Sequence, residues 1–226
     1  MSRRVEVFTG AYASGKSEIS INRALDLFNE GEDIILVDLD TVEPAYTLRP
    51  IQKDIEKLGI KVITQENYFG LGETGNTITS EQLNCLYSGK DIVIDVGYGA
   101  GGLDILDVLN GIEKEQDLNI YMVINASKFE TSTVESIVEY VNWSTGTTKK
   151  DWKKFSGIIS NTHFSYETTR EDVIRGYEIT KKAAGLLNLP IIAICVSEGI
   201  YPAFEGGSYD GVPIRQLKRF MPKALW

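Results

Sequence analysis

Two cysteines in 226 residues, Cys85 and Cys195, form no C-x-x-C pair and stand at no ligand spacing from a histidine, so the chain suggests neither a disulfide framework nor a zinc or iron–sulfur site. Both read as buried thiols. Histidine is scarcer still. His163 is the only one, and no serine or cysteine motif makes it a triad member, so it reads as a loop residue. No stretch approaches eighteen consecutive apolar residues, and MSRRVEVFTG runs into a strand-like segment without the apolar core of a signal peptide, which points to a cytoplasmic protein. Basic residues are also short. The 23 Lys and Arg face 32 Asp and Glu, and the net charge of -9 repels polyanions, so nucleic acid is not an expected partner. Low-complexity tracts, fixed-period repeats and Pro/Ser-rich linkers are missing, so residues 1–226 read as one domain.

What the chain does have is a series of short aliphatic runs: 5–8, 33–38, 60–64, 91–96, 119–125, 156–160 and 190–196. Nearly continuous apolar runs suit strands covered on both faces, and amphipathic segments between them supply the covering helices. Ser17 to Asn29 is one such segment, with Gly31 as its stop, and Thr79-x-x-Gln82, Ser132-x-x-Glu135 and Thr168-x-x-Glu171 each fit a capping box. The fold class is therefore α/β: a three-layer, doubly wound, mostly parallel sheet of about seven strands. Its ligand site is expected at the carboxyl ends of the strands.

GAYASGKS follows the first strand-like run and opens a helix, which is the context the P-loop pattern G-x-x-x-x-G-K-S requires. The glycines let successive N–H groups turn inward around phosphate oxygens, and the helix N-terminus adds its partial positive charge. Gly10, Ala11, Tyr12, Ala13, Ser14, Gly15, Lys16, Ser17 and Glu18 are thus candidate nucleotide-binding residues, with Lys16 reaching the β/γ-phosphates and the Ser17 hydroxyl placed for Mg²⁺. A magnesium nucleotide also needs a carboxylate at a neighbouring strand end. Ile92-Val93-Ile94-Asp95 has the Walker B form, and of Asp38 and Asp40, ending the second strand, one can orient the attacking water or touch the metal.

The P-loop, the VDLDTVEP segment after the second strand and DIVIDVGYGAGG after the Walker B strand together resemble the MinD/ParA/Mrp and nitrogenase-iron-protein (SIMIBI) class of P-loop ATPases, which includes CobQ/CobB-like synthetases. The resemblance runs from residue 4 to about 200 and implies ATP and Mg²⁺ as cofactors. By position it makes Asp40 the first-switch acid that orients water, Asp38 a magnesium-side acid together with Ser17 and Asp95, and Gly97 to Gly102 the second switch. It places Asn161 against the adenine edge, with 196–202 closing from the other side and His163 nearby. Many members carry a second lysine beside the first P-loop glycine that reaches across a dimer. Here Ala11 stands in that place, so the trans-acting charge is missing and homodimerisation stays open.

Two functions follow. One is an ATPase whose nucleotide state is sensed by a client protein. The alternative is an ATP-dependent ligase or kinase acting on a small-molecule acceptor, as in dethiobiotin-synthetase-like and CobQ-like members. The loop 68–77, with three glycines beside two aromatics, suits a client or second substrate. The tail 211–226 carries four basic residues and no acid, interleaved with apolar ones. It reads as docked on the domain or lying on an anionic membrane, and docking is favoured because Pro222 limits any helix to about two turns.

Overall fold

The computed structural model describes residues 3–41, 48–65, 78–148 and 150–221. The loop expected at 68–77, residues 42–47 of the first acidic stretch and residues 222–226 of the tail lie outside them.

Strands and helices alternate: β1 (Val5–Gly10), α1 (Lys16–Asn29), β2 (Ile34–Leu39), α2 (Gln52–Glu56), β3 (Lys61–Ile63), α3 (Ser80–Leu83), β4 (Asp91–Val96), α4 (Ala100–Asp104), β5 (Leu118–Ile124), α5 (Val134–Ser144), β6 (Phe155–Ser160), α6 (Arg170–Leu187), β7 (Ile191–Ser197), β8 (Ser208–Tyr209) and β9 (Val212–Leu217). The sheet order is β3-β2-β4-β1-β5-β6-β7-β9-β8. Every pairing is parallel except β8 with β9.

Alternation within each strand explains why the apolar runs are continuous. Val5, Val7, Ile35, Val37, Ile92 and Ile94 enter one core with Leu103 and Leu106. Phe8, Ile34, Leu36 and Val93 enter another, with Ile19, Ala24 and Leu27 of α1. Successive side chains point to opposite faces, so two buried faces demand apolar residues at every position. Cys85 and Cys195 are buried free thiols.

Helix starts fall close to their sequence signals. The Thr79–Gln82 capping box is present, whereas the other two boxes open one residue later than expected, at Thr133–Ser136 and Thr169–Asp172. Ser and Asp fill the third helical position there as well as Glu would, because each oxygen reaches back to the cap N–H. α1 ends at Asn29 with Glu30 as its C-cap, followed by Gly31 at φ 92°.

Among the described residues nine strands stand where about seven were expected, because β8 and β9 come from the region read as loop and basic tail. In β9 only Ile214 is buried, and Pro213 breaks the strand pattern in sequence. Backbone pairing with β7 holds it, through Ile194↔Ile214 to Ser197↔Leu217. Among the described residues, no helix is long and apolar enough to cross a membrane.

Candidate functional site

The loop between β1 and α1 is built around small residues because nothing larger fits. A Cβ on Gly10 would lie 2.5 Å from both the Ser14 Oγ and the Val123 carbonyl, and one on Gly15 would lie 2.3 Å from the Asn161 Nδ2. Gly15 also takes φ 84°, and Ala13 sits in the left-handed region at φ 53°. The Ser14 N–H donates to the Ala11 carbonyl at 3.1 Å, and α1 begins with the Ile19 N–H donating to the Gly15 carbonyl at 3.1 Å. No side chain caps α1. Its first-turn amides, from Lys16 to Glu18, therefore point out of the helix unpaired by it, a favourable setting for an anion. The buried Ser14 hydroxyl has no partner and faces the same loop. Ala11 is buried and Tyr12 is 41% exposed, its ring edge-on to Tyr98 at 6.0 Å.

Sheet order brings the predicted acids to this loop. β4 lies between β1 and β2, and register sets Asp95 beside both Phe8 and Asp38. The Lys16 ammonium lies 3.3 Å from the Asp40 carboxylate. Burial pulls the Lys16 pKa down, but Asp40 and Asp95 outweigh it and leave the pKa above its ordinary value. Asp38 is committed locally: its Oδ1 accepts the Asp40 N–H at 2.9 Å, its Oδ2 accepts the Thr64 hydroxyl at 3.3 Å, and the Arg49 guanidinium lies 3.6 Å away. Asp95 differs. Burial pushes its pKa up to about 8, with Lys16 opposing and the like charges of Asp38 and Asp40 adding to the rise. The Ser17 hydroxyl lies near enough to lower that value, yet neither Asp95 oxygen has a partner of hydrogen-bond geometry. A fully buried, unpartnered carboxylate beside a hydroxyl suits a hard cation completed by phosphate oxygens and water. Asp95 and Ser17 therefore fit Mg²⁺. Among the described residues, no three His, Cys, Asp or Glu side chains form a metal cage by themselves.

The glycine segment after β4 is held from two sides. The Thr9 hydroxyl donates to the Gly97 carbonyl at 3.2 Å, and the Gly99 N–H donates to the Tyr140 hydroxyl of α5 at 3.2 Å. Gly99 has φ 87°, and a Cβ there would lie 3.0 Å from the Trp143 ring. Trp143 is 56% exposed and meets Tyr140 edge-on at 5.7 Å.

Beyond Gly15 opens a cavity of about 520 Å³, lined among others by Glu18, Asn161, His163, Glu198 and Arg219. Asn161 ends β6 and donates to the Ser14 carbonyl at 2.8 Å, tying this wall to the phosphate loop. Burial, with Lys128 and Arg219 adding, lowers the His163 pKa to about 4. The Ser165 N–H donates to His163 Nδ1 at 3.4 Å, which leaves Nε2 to carry the proton of the neutral ring. Val196 to Ile200 form part of the lining, where sequence placed a closing segment.

Lys16, Ser17, Asp38, Asp40 and Asp95 thus cluster at the ends of β2 and β4 beside α1, and Asn161 lies in the neighbouring cavity on the far side of Gly15. Sequence reading missed Arg49, which donates to the Asp40 carbonyl at 2.7 Å, and Gln82, which donates to the Asp38 carbonyl at 2.6 Å. It missed Tyr140 as well. Nothing local in the sequence marks Arg49 or Tyr140, and the capping box marks Gln82 only as a helix start, since folding alone brings the three to the site. The Glu18 side chain also turns away from the phosphate loop, toward residues 220 and 221.

No protein-family model matches the chain, and no curated protein matches it in sequence. Solved structures do resemble it. FtsY from Mycoplasma mycoides has a TM-score of 0.58 at 16% identity, covering 86% of this chain and 61% of that one. FtsY from Elizabethkingia anophelis in complex with GDP has 0.56 at 17%, covering 87% and 57%. FlhF complexed with GTP/Mg(2+) has 0.52 at 16%, covering 84% and 64%. This chain spans less than two thirds of the length of each. The likeness is one of fold: a mostly parallel α/β sheet with helices, matching the P-loop NTPase fold seen in FtsY and FlhF.

Proposed function

We propose that this protein binds and hydrolyses a magnesium nucleoside triphosphate, with ATP as the nucleotide, and signals its nucleotide state to a protein partner. The observation that carries this reading is the meeting of the Gly10–Ser17 loop, through Lys16, with Asp40 and the open carboxylate of Asp95 at the strand ends, beside a cavity of about 520 Å³ that Gly15 lines.

The residue roles follow from position. Backbone N–H groups of the loop and of the first turn of α1 cradle the phosphates, and Lys16 neutralises them. Ser17 and Asp95 would hold Mg²⁺, which when bound screens charge on the phosphate oxygens. Asp40, released from Lys16 by the phosphates, orients the attacking water and accepts its proton. Asp38 acts through Arg49 and the 38–40 backbone, so it positions Asp40.

ATP is favoured by Asn161. With one N–H given to Ser14, its amide oxygen and second N–H suit the donor and acceptor of an adenine edge. A guanine would instead present two N–H donors; of the two carboxylates lining the cavity, Glu18 is already engaged by Phe220 and Met221, which leaves Glu198 for that role. GTP is the second reading, because two of the similar structures hold guanine nucleotides.

The switch reading rests on Gly99. Its amide donates to the Tyr140 hydroxyl and a Cβ on it would lie 3.0 Å from the Trp143 ring, so a γ-phosphate that shifts the glycine segment also shifts an exposed aromatic surface. Phosphate release from ATP and from GTP, each with and without cell extract, tests this. Faster release from ATP, stimulated by a protein fraction, is expected. Transfer of phosphate to a small molecule in that fraction would overturn the switch reading.

A further inference from the structure

The residues after β9 do more than finish the chain. From Lys218 to Met221 they cross from the end of β9 to the first two turns of α1, and four contacts with two α1 side chains hold them there. The Asn22 side chain forms a closed pair with the Lys218 backbone, donating to its carbonyl at 2.8 Å and accepting its N–H at 2.8 Å. One turn earlier, the Glu18 carboxylate accepts the Phe220 N–H at 2.9 Å and the Met221 N–H at 2.7 Å. Leu217, Phe220 and Met221 pack their apolar faces on the core under α1.

This strap is also a wall. Leu217, Lys218, Arg219 and Met221 line the same cavity as Asn161 and His163. Across it, the Arg219 guanidinium stacks 4.3 Å from the Tyr166 ring centroid and donates to the Ser165 hydroxyl at 3.2 Å. Tyr166 is 80% exposed, so the pair sits at the cavity rim and not in the core. Glu18 immediately follows Ser17. The first turn of α1 therefore turns its amides to the phosphate side and its carboxylate to the strap.

We propose that the strap Leu217–Met221 forms one side of the base pocket, anchored by Glu18 and Asn22, and that Arg219 over Tyr166 closes that pocket around a purine. This rests on the nucleotide reading above and adds what holds the base. A planar guanidinium already stacked on an aromatic ring offers a π-face and a cation to a purine without ordering a mobile side chain. Glu18 and Asn22 are positioning residues, acting through the strap backbone, and Arg219 is the residue that touches the base.

A ligand without a base separates this wall from the phosphate loop. Calorimetric titration of the full chain with Mg-ATP, Mg-GTP and magnesium tripolyphosphate would compare wild type with Asn22→Ala and Arg219→Ala. Both variants are expected to weaken whichever nucleotide binds by about fivefold or more while tripolyphosphate affinity stays within about twofold. Arg219→Lys keeps the charge but loses the planar stack, and is expected to recover only part of the loss. Unchanged nucleotide affinity in both alanine variants would overturn the proposal, as would equal weakening of nucleotide and tripolyphosphate. Wild type that binds none of the three ligands would instead overturn the nucleotide reading beneath it.

Discussion

The ammonium of Lys16 lies 3.3 Å from the carboxylate of Asp40, and both side chains are nearly buried. The pair joins the first turn of α1 to the end of β2, so an incoming anion that draws Lys16 away also releases the acid. Replacing Asp40 by Asn keeps the shape and removes the charge. Asp40→Asn is expected to bind nucleotide within about threefold of wild type but to lose at least about tenfold in turnover. Normal turnover, measured by phosphate release, would assign water orientation to another group.

Asp95 is a fully buried acid whose two oxygens have no hydrogen-bond partner. Its folded pKa of about 8 exceeds the ordinary 3.8, so between those values the folded protein keeps a proton that the unfolded chain gives up. Stability contributed by this group is therefore present at low pH and lost as pH rises toward 8. Asp95→Asn is expected to melt at higher temperature than wild type at pH 8, with the difference vanishing near pH 4, and to bind nucleotide no more tightly with Mg²⁺ than without it. Thermal scans across that range and titrations with and without Mg²⁺ check both parts.

His163 gives the opposite slope. Its folded pKa of about 4 lies below the ordinary 6.5, so the unfolded chain takes up a proton first as pH falls. Wild type is expected to lose on the order of 2 kcal/mol between those values through this residue. His163→Asn should remove that part of the loss, leaving a shallower decline in denaturant-midpoint measurements from pH 6.5 to 4.

Gly99 takes a backbone conformation that a side chain resists, with Trp143 3.0 Å from where a Cβ would stand. Gly99→Ala is expected to cost about 1–2 kcal/mol in urea unfolding and to quench or shift tryptophan emission. A variant as stable as wild type would show that this segment relaxes freely and does not transmit force to α5.

The order of elements was legible in the chain because two-sided burial writes continuous apolar runs, and the tight strand-to-helix loop was legible because Gly10, Gly15, Lys16 and Ser17 stand together at P-loop spacing. The position of Asp95 at the end of an apolar strand could be read from the sequence. Asp38 and Asp40 could be found but not told apart, since what distinguishes them is Arg49 and Thr64, which reach them only through the fold. β9 was hidden for a related reason. Its single buried residue, Ile214, gives no run, and its strand character comes from pairing with β7. The turn of Glu18 toward the tail likewise depends on where residues 220 and 221 end up.

The most direct test of the phosphate-loop assignment is calorimetric titration of Mg-ATP and Mg-GTP into wild type and Lys16→Ala. The account predicts saturable heat with wild type and at least about tenfold weaker binding or turnover in the variant. Equal binding and hydrolysis by the two proteins, or no heat from either nucleotide with wild type, would contradict it.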